Sequence, residues 1–235
     1  MKVEKFIWMG RAMDGSEGKS NTQRAVDELR DMIFRGELAP GSDHLEGELA
    51  EKLGMSRTPI REAALMLEAQ GLVALRPRKG LRVMSVSPQD MADIYDVLTE
   101  LESLAAARAA DEGYLPADLA KLRSAIDDMD FALKKEDREA WSAADDRFHR
   151  ELVRLGGNKR VQVIVAMMED QVRRAKIITL HMRPLPVRSN DDHRALLEAI
   201  ASGDAVRARH IHKVHRTEAR KVLLALLETH SLKHL

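Results

Sequence analysis

The sequence predicts a mainly α-helical protein: an N-terminal winged helix-turn-helix followed by a C-terminal all-helical antiparallel bundle. Three observations carry that expectation. Apolar residues recur at helical spacing along most of the 235 residues, the strand-like runs are confined to a short basic hairpin at 72–86, and six further helical faces follow it with no strand between them. The 44% hydrophobic, 32% charged and 3% aromatic composition fits a soluble helix-rich chain and excludes a disordered or collagen-like one.

Residues 1–21 include Gly10, Gly15, Ser16, Gly18 and Ser20 and are expected to form a mobile tail. The apolar run at 6–9 is too short for a signal-peptide core, and no stretch approaches the ~18 apolar residues of a membrane span, so a cytoplasmic location is expected.

The winged helix-turn-helix is placed at 22–84. Its first helix, 22–35, carries Val26, Leu29, Ile33 and Phe34 on one face and ends at a Pro-Gly turn within 36–41. The second carries Leu45, Leu49, Ala50 and Leu53 and stops at Gly54. The third opens at Ser56, whose hydroxyl is expected to cap it; Pro59 sits in its first turn, and Ile60, Ala64, Leu65 and Leu67 are expected to face inward. LVAL (72–75) and LRVMSV (81–86), separated by RPRKG (76–80), read as a hairpin with a basic turn, the layout of a wing.

The net charge of zero, from 38 bases and 38 acids, speaks at first against a nucleic-acid partner. It is a local cancellation. Residues 20–51 hold three bases against eight acids, whereas 52–82 hold seven bases against two acids. The basic residues gather where a helix-turn-helix and its wing meet phosphates, and binding there gains from counterion release. A recognition helix presents its N-terminal residues to base edges, which singles out Ser56, Arg57, Thr58 and Arg61, with Arg78 and Lys79 on the wing.

GELAPG (36–41), ELAEKLGMSRTPIREAALMLEAQGLV (48–73) and the Lys79-Gly80 turn resemble the DNA-binding domain of GntR-family bacterial transcription regulators over about 22–84. The resemblance implies that Arg57, Thr58 and Arg61 read the operator and that Gly80 lets the wing approach the minor groove. One departure is Gly47, where some members carry a basic residue.

A linker is placed at 85–90, where Ser87 is suited to cap a helix, Pro88 to open it and Asp90 to occupy its third position. The bundle is placed at 91–228, with a C-terminal tail at 229–235. Its inward faces read Met91, Ile94, Leu98, Leu101 and Ala105; Leu119, Leu122, Ile126, Met129 and Leu133; Trp141, Phe148, Leu152 and Leu155. They continue with Val161, Ile164, Met168, Val172, Ala175 and Ile178; Leu196, Leu197 and Ile200; Ala208, Ile211, His215, Val222 and Leu226.

The chain has no cysteine, so disulfides, thiolate metal sites and a cysteine nucleophile are excluded, and any metal must be held by nitrogen and oxygen. Eight of the nine histidines lie after residue 148. Asp145 and His149 are one helical turn apart on the face that Phe148 and Leu152 mark as inward. With His193 and His215 on other inward faces they form an N/O set suited to a divalent Zn, Ni, Mn or Fe ion. His212 is expected beside this set as a supporting partner, and His181, His210, His230 and His234 are expected outside it.

DDRFHREL (145–152), DHRALLEAI (192–200) and GDAVRARHIHKVH (203–215) resemble the C-terminal ligand-binding (FCD) domain of the FadR subfamily, over 89 to about 228. The resemblance implies metal ligation by Asp145, His149, His193 and His215. Leu98 stands where many relatives carry an arginine; Arg173 and Arg174 are candidates to compensate.

The expected function is therefore that of a non-enzymatic transcription regulator, a repressor, binding a pseudo-palindromic double-stranded operator as a homodimer. A small organic acid at the metal is expected to control its affinity. The alternatives are a metal sensor without organic effector and a metal-dependent hydrolase with a DNA-binding module; the absence of HExxH counts against the last.

Overall fold

The computed structural model describes residues 20–85 and 87–230; residues 1–19 of the tail expected at 1–21 and residues 231–235 of the tail expected at 229–235, His234 among them, lie outside these, whereas Asn21 and Thr229 belong to helices. Helix α1 (Asn21–Phe34) starts one residue earlier than its apolar spacing indicates, because Ser20 Oγ accepts from the Gln23 N–H at 3.1 Å and caps it. After α1 come β1 (Asp43–His44), α2 (Glu46–Lys52), α3 (Arg57–Ala69), β2 (Val73–Arg76) and β3 (Gly80–Val83).

β3 is the centre of a three-stranded antiparallel sheet of order β1-β3-β2, with Asp43 opposite Arg82 and Val73 opposite Val83. This sheet and the three helices enclose a core of Leu29, Ile33, Leu49, Ile60, Leu67 and Leu81. Two sequence expectations fail here. Ser56 occupies the N-cap position of α3 but makes no capping hydrogen bond, and Leu65 is 51% exposed, because Ile60, Ala63, Ala64 and Leu67 already complete the inward stripe.

A capping box opens α4 (Pro88–Asp111): the Asp90 N–H donates to Ser87 Oγ at 3.1 Å and the Ser87 N–H to Asp90 Oδ2 at 3.0 Å. Residues 88–90 thus form the helix's first turn. Five further helices follow: α5 (Ala120–Lys134), α6 (Arg138–Leu155), α7 (Lys159–Thr179), α8 (Val187–Ala201) and α9 (Ala205–Thr229), with a 3-10 turn at Leu180–Met182 after α7. α4 packs chiefly on α9, and α5 on α6.

Most of the inward faces are as the spacing indicates, with three corrections. Ile164 and Ile178 on α7 are 39% and 37% exposed, and on α9 the buried stripe runs through Leu223 and Leu227 rather than Val222 and Leu226. The stripe is one residue out of phase because His212, His215 and Arg216 all turn inward and set the register of that helix.

The bundle interior has two apolar clusters. One gathers Ala109, Leu122, Phe148, Leu152, Leu196 and Ala208; the other gathers Met91, Leu98, Val165, Val172, Leu223 and Leu227. Along both α4 and α9, polar residues fall between them: Glu102 and Ser103 on the first, His212, His215 and Arg216 on the second.

Gly156, at the end of α6, sits against α4 so closely that an added Cβ would lie 2.7 Å from Ala105 Cα. Gly156→Ala must push two backbones apart, and the expected cost is about 1–3 kcal/mol. The check is a lower urea midpoint with an unchanged m-value.

Candidate functional site

The first functional surface lies on the N-terminal domain. Arg57, Thr58 and Arg61 project from the first turns of α3 and are exposed, as are Ser56 before them and Arg78 and Lys79 in the β2–β3 turn. Arg78 adopts φ +64°, and the Lys79 N–H closes the turn on the Arg76 carbonyl at 3.0 Å. Gly80 has φ +76°, and a Cβ there would collide with the His44 carbonyl. The residue is needed for β1 to approach β3, an internal reason for the glycine in addition to any role at DNA.

Between α2, α3 and the wing runs a groove of about 760 Å³ lined by Arg57, Arg61, Arg76 and Arg78 and, from α2, by Glu46, Glu48 and Glu51. Arg76 and Arg82 lean on Asp43 at 4.0 and 3.3 Å. Arg57, Arg61, Arg78 and Lys79 have no carboxylate partner among the described residues, so their charge faces solvent. The missing side chain at Gly47 has a visible effect: the Arg57 guanidinium lies over it, 3.1 Å from where a Cβ would sit.

The second site is inside the bundle. α6 supplies Asp145 and His149, α8 supplies His193 and α9 supplies His215, all buried. The four offer ligand atoms within 4.8 Å of one another. Asp145 Oδ1 lies 3.5 Å from both His149 Nε2 and His193 Nε2, and these three buried atoms have no hydrogen-bond partner. Unpartnered buried donors and acceptors are costly unless something fills the space between them, and three imidazoles with one carboxylate match a divalent-cation donor set. The residues therefore fit a metal ion.

Around the four lies a supporting set. Asp192 Oδ2 is 3.4 Å from His215 Nδ1, and Glu102 Oε2 is 3.3 Å from His149 Nδ1, which leaves His149 Nε2 to face Asp145. Glu102 also lies 3.2 Å from His212 Nε2, while its other oxygen accepts from Arg216 at 3.3 Å. His212 Nδ1 is 3.1 Å from Ser103 Oγ. Glu102, His149 and His212 could group around an ion too, but they offer three donors against four and share His149 with the first set, and we read them as its support. His210, His181 and His230 are exposed.

The electrostatics follow from burial. Burial favours the neutral acid at Asp145, yet the Lys176 ammonium and His149 hold its pKa well below the ordinary carboxylate range. At Glu102 burial is likewise overcome by Arg216 and His149. Burial, reinforced by neighbouring imidazoles, pushes His193 well down and His215 down; it lowers His212 to about 4 despite Glu102. His149 alone is raised, because Asp145 and Glu102 together outweigh its burial.

Lys176 is the main residue that sequence reasoning missed. Its ammonium donates to Asp145 Oδ2 at 2.7 Å and to Asp146 Oδ1 at 2.9 Å from a buried position on α7. Glu102, Arg216 and Asp192 were missed with it. A signal was present: Lys176, Glu102 and Arg216 each stand four residues after a buried residue, Val172, Leu98 and His212. Of the two arginines that could stand in for the one absent at Leu98, Arg173 lines a small cavity with Leu98, His149 and Lys176, whereas Arg174 turns away. Arg174 donates to the Met84 carbonyl at 2.5 Å, and Arg173 lies 5.1 Å from the Phe34 ring centroid.

Both contacts belong to a dock of α7 against the N-terminal domain. Asp170 accepts from Arg30 Nε at 2.7 Å, and Gln171 donates to the Gln70 carbonyl at 3.2 Å. Lys176 is thus one to two turns from the dock on the same helix. On the other side of the histidines a cavity of about 300 Å³ extends from His149, Lys176 and His215 to Trp141, Leu180 and Val222. Among the described residues no helix is long and apolar enough to cross a membrane.

Comparison with known proteins agrees with this two-part organisation. Residues 21–83 match the gntR family of bacterial regulatory proteins, and residues 93–218 match the FCD domain. An HTH-type transcriptional regulator in an unstable DNA locus of Streptomyces ambofaciens is 33% identical over 86% of this chain and 85% of its own length. The gluconate operon transcriptional repressor of Bacillus subtilis is 27% identical over 89% and 84%. The solved structure of Escherichia coli McbR/YncC has the same fold, with a TM-score of 0.75 at 23% identity, covering 89% of this chain and 99% of that one. The chain belongs to the GntR family, an FCD-domain member of it, and is a DNA-binding transcription regulator rather than an enzyme.

Proposed function

We propose that the protein is a repressor whose operator affinity is set by a small organic acid bound beside a divalent metal ion in the bundle. The observation that carries this reading is the convergence of the unpartnered Asp145 Oδ1, His149 Nε2 and His193 Nε2, with His215, beside a cavity that Asp145, His149 and His215 help to line. Asp145, His149, His193 and His215 would hold the ion, which would offer open coordination positions to an anion. The domain partition that goes with it is 22–84 for DNA and 91–228 for the effector.

On the DNA side, Ser56, Arg57, Thr58 and Arg61 are assigned to base edges and phosphates of one half-site, and Arg78, Lys79 and Gly80 to the backbone or minor groove. A single domain of this size covers one half-site, so a homodimer on a pseudo-palindrome follows. Relatives named as repressors support the sign of regulation. The signal would travel along α7. An effector that favours one position of Lys176 also favours one position of Asp170, Gln171 and Arg174 against the N-terminal domain, and it acts only through that difference.

Elemental analysis of protein purified without chelator is expected to find about one divalent ion per chain, lost in His193→Ala with helicity retained. A metal-free protein that neither binds such an ion nor changes operator affinity on its addition overturns the reading.

At the DNA interface, Arg61→Ala is expected to weaken operator binding by ~10–100-fold while leaving random DNA little affected. Lys79→Ala should weaken both alike and lower the salt slope by about one. Fluorescence anisotropy across salt concentrations separates the two.

The lowered imidazoles set a pH dependence for the metal-free protein. An unfolded chain takes up protons near pH 6.5 that folded His193, His212 and His215 refuse, so stability falls as pH drops below that value. His149, raised, works in the opposite direction and offsets one of the three. The carboxylates of Glu102 and Asp145 add their loss only near pH 4 and below. Urea denaturation at pH 7 and pH 5.5 should differ by roughly 1–3 kcal/mol, with the lower pH less stable.

A further inference from the structure

Lys176 bears on which anion the site takes, an inference that rests on the metal reading above. The carboxylate that would ligate the ion is already neutralised: Asp145 presents Oδ1 to the imidazoles and Oδ2 to the Lys176 ammonium at 2.7 Å. The other fully buried carboxylate, Glu102, is matched by Arg216. With the solvent-exposed Arg188 and Glu218 left aside, the cavity sets Arg138, Lys176, Arg183 and Arg216 against Asp145 and Asp192, and Glu102 and Asp146, in contact with Arg216 and Lys176 from behind, bring the total to zero.

A divalent ion placed at the buried end of the cavity, beside Asp145, His149 and His215, therefore adds two positive charges that no side chain lining the cavity compensates. Such charge is strongly disfavoured unless a counter-charge enters with it. The cavity is the place for that counter-charge, and its far wall, with Trp141, Leu180 and Val222, is apolar. We propose that Lys176 couples retention of the metal to an organic dianion, a dicarboxylate or a hydroxy acid that has lost two protons, so that ion and effector each bind more tightly when the other is present. Reciprocity of linkage then requires the dianion to depend on the ion to the same degree.

The test measures Zn²⁺ affinity of the chelator-stripped full chain by competition with a chromophoric chelator, at constant ionic strength, alone and with succinate, acetate or inorganic phosphate. In the wild type, succinate is expected to tighten Zn²⁺ binding ~10-fold or more, and acetate much less. Lys176→Met removes the ammonium while keeping the volume. It should bind Zn²⁺ alone ~10-fold more tightly than the wild type and lose the response to succinate. Wild-type affinity that does not change with succinate overturns the proposal, as does a Lys176→Met protein that responds to succinate as the wild type does. Phosphate matching succinate overturns the organic assignment. Absence of Zn²⁺ binding under every condition overturns the metal centre and this inference together. Circular dichroism verifies the fold of the variant, and should Lys176→Met not fold, Lys176→Gln and the wild-type anion series decide.

Discussion

Asp145 shares one carboxylate between two imidazoles, those of His149 and His193, and an ammonium, almost wholly out of contact with water, and the interior of the bundle is arranged so that this group stays ionised. Taking a carboxylate and an ammonium out of water costs several kcal/mol per ion, and their attraction returns that only where geometry is good on every side. Here each side is supplied by a different helix: Asp145 and His149 by α6, Lys176 by α7, His193 by α8, and His215 by α9. Apolar side chains of the same volume would stabilise the bundle at least as well. The cluster is therefore better understood as a site that the fold supports than as a device that holds the fold.

That support is visible in the division of the core. Two apolar clusters flank the polar layer, and α4 and α9 run through both. Each contributes to the layer from its middle: Glu102 on α4, and His212, His215 and Arg216 on α9. The apolar ends of the two helices hold them in register, so the imidazoles are positioned by packing above and below rather than by their own contacts. Glu102 links the two helices at the level of the site by meeting His212 and Arg216 across the gap.

The helical faces, the helix-turn-helix and the Ser87 capping box were legible in the sequence because each rests on a short-range period or on residue chemistry, whereas the set Asp145, His149, His193 and His215, spread over three helices, was read from inward spacing together with the resemblance to the FCD domain. What was not legible depends on partners distant in the chain. β1 has two residues and exists because Asp43 and His44 meet Arg82 and Leu81 on β3. Lys176 was passed over because a lysine on a helix is usually solvated, although its spacing from Val172 pointed inward. The one-residue error on the last helix has the same origin: Val222 and Leu226 are as apolar as Leu223 and Leu227, and only three inward polar residues decide between the two stripes. Arg173 and Arg174 read alike as candidates for an anion, and it took the placement of the N-terminal domain to show that Arg174 is engaged there by the Met84 carbonyl.

The dock between α7 and the N-terminal domain is made in good part to main-chain atoms: Gln171 donates to the carbonyl of Gln70 and Arg174 to that of Met84. A backbone carbonyl is present whatever residue carries it. The side chains that read DNA lie elsewhere, on the exposed turns of α3 and on the wing. Substitutions there can retarget the protein to a new operator without disturbing the joint through which the bundle is felt. A single sensing domain can thus pass unchanged among regulators of different genes, its chemistry kept while its address is rewritten.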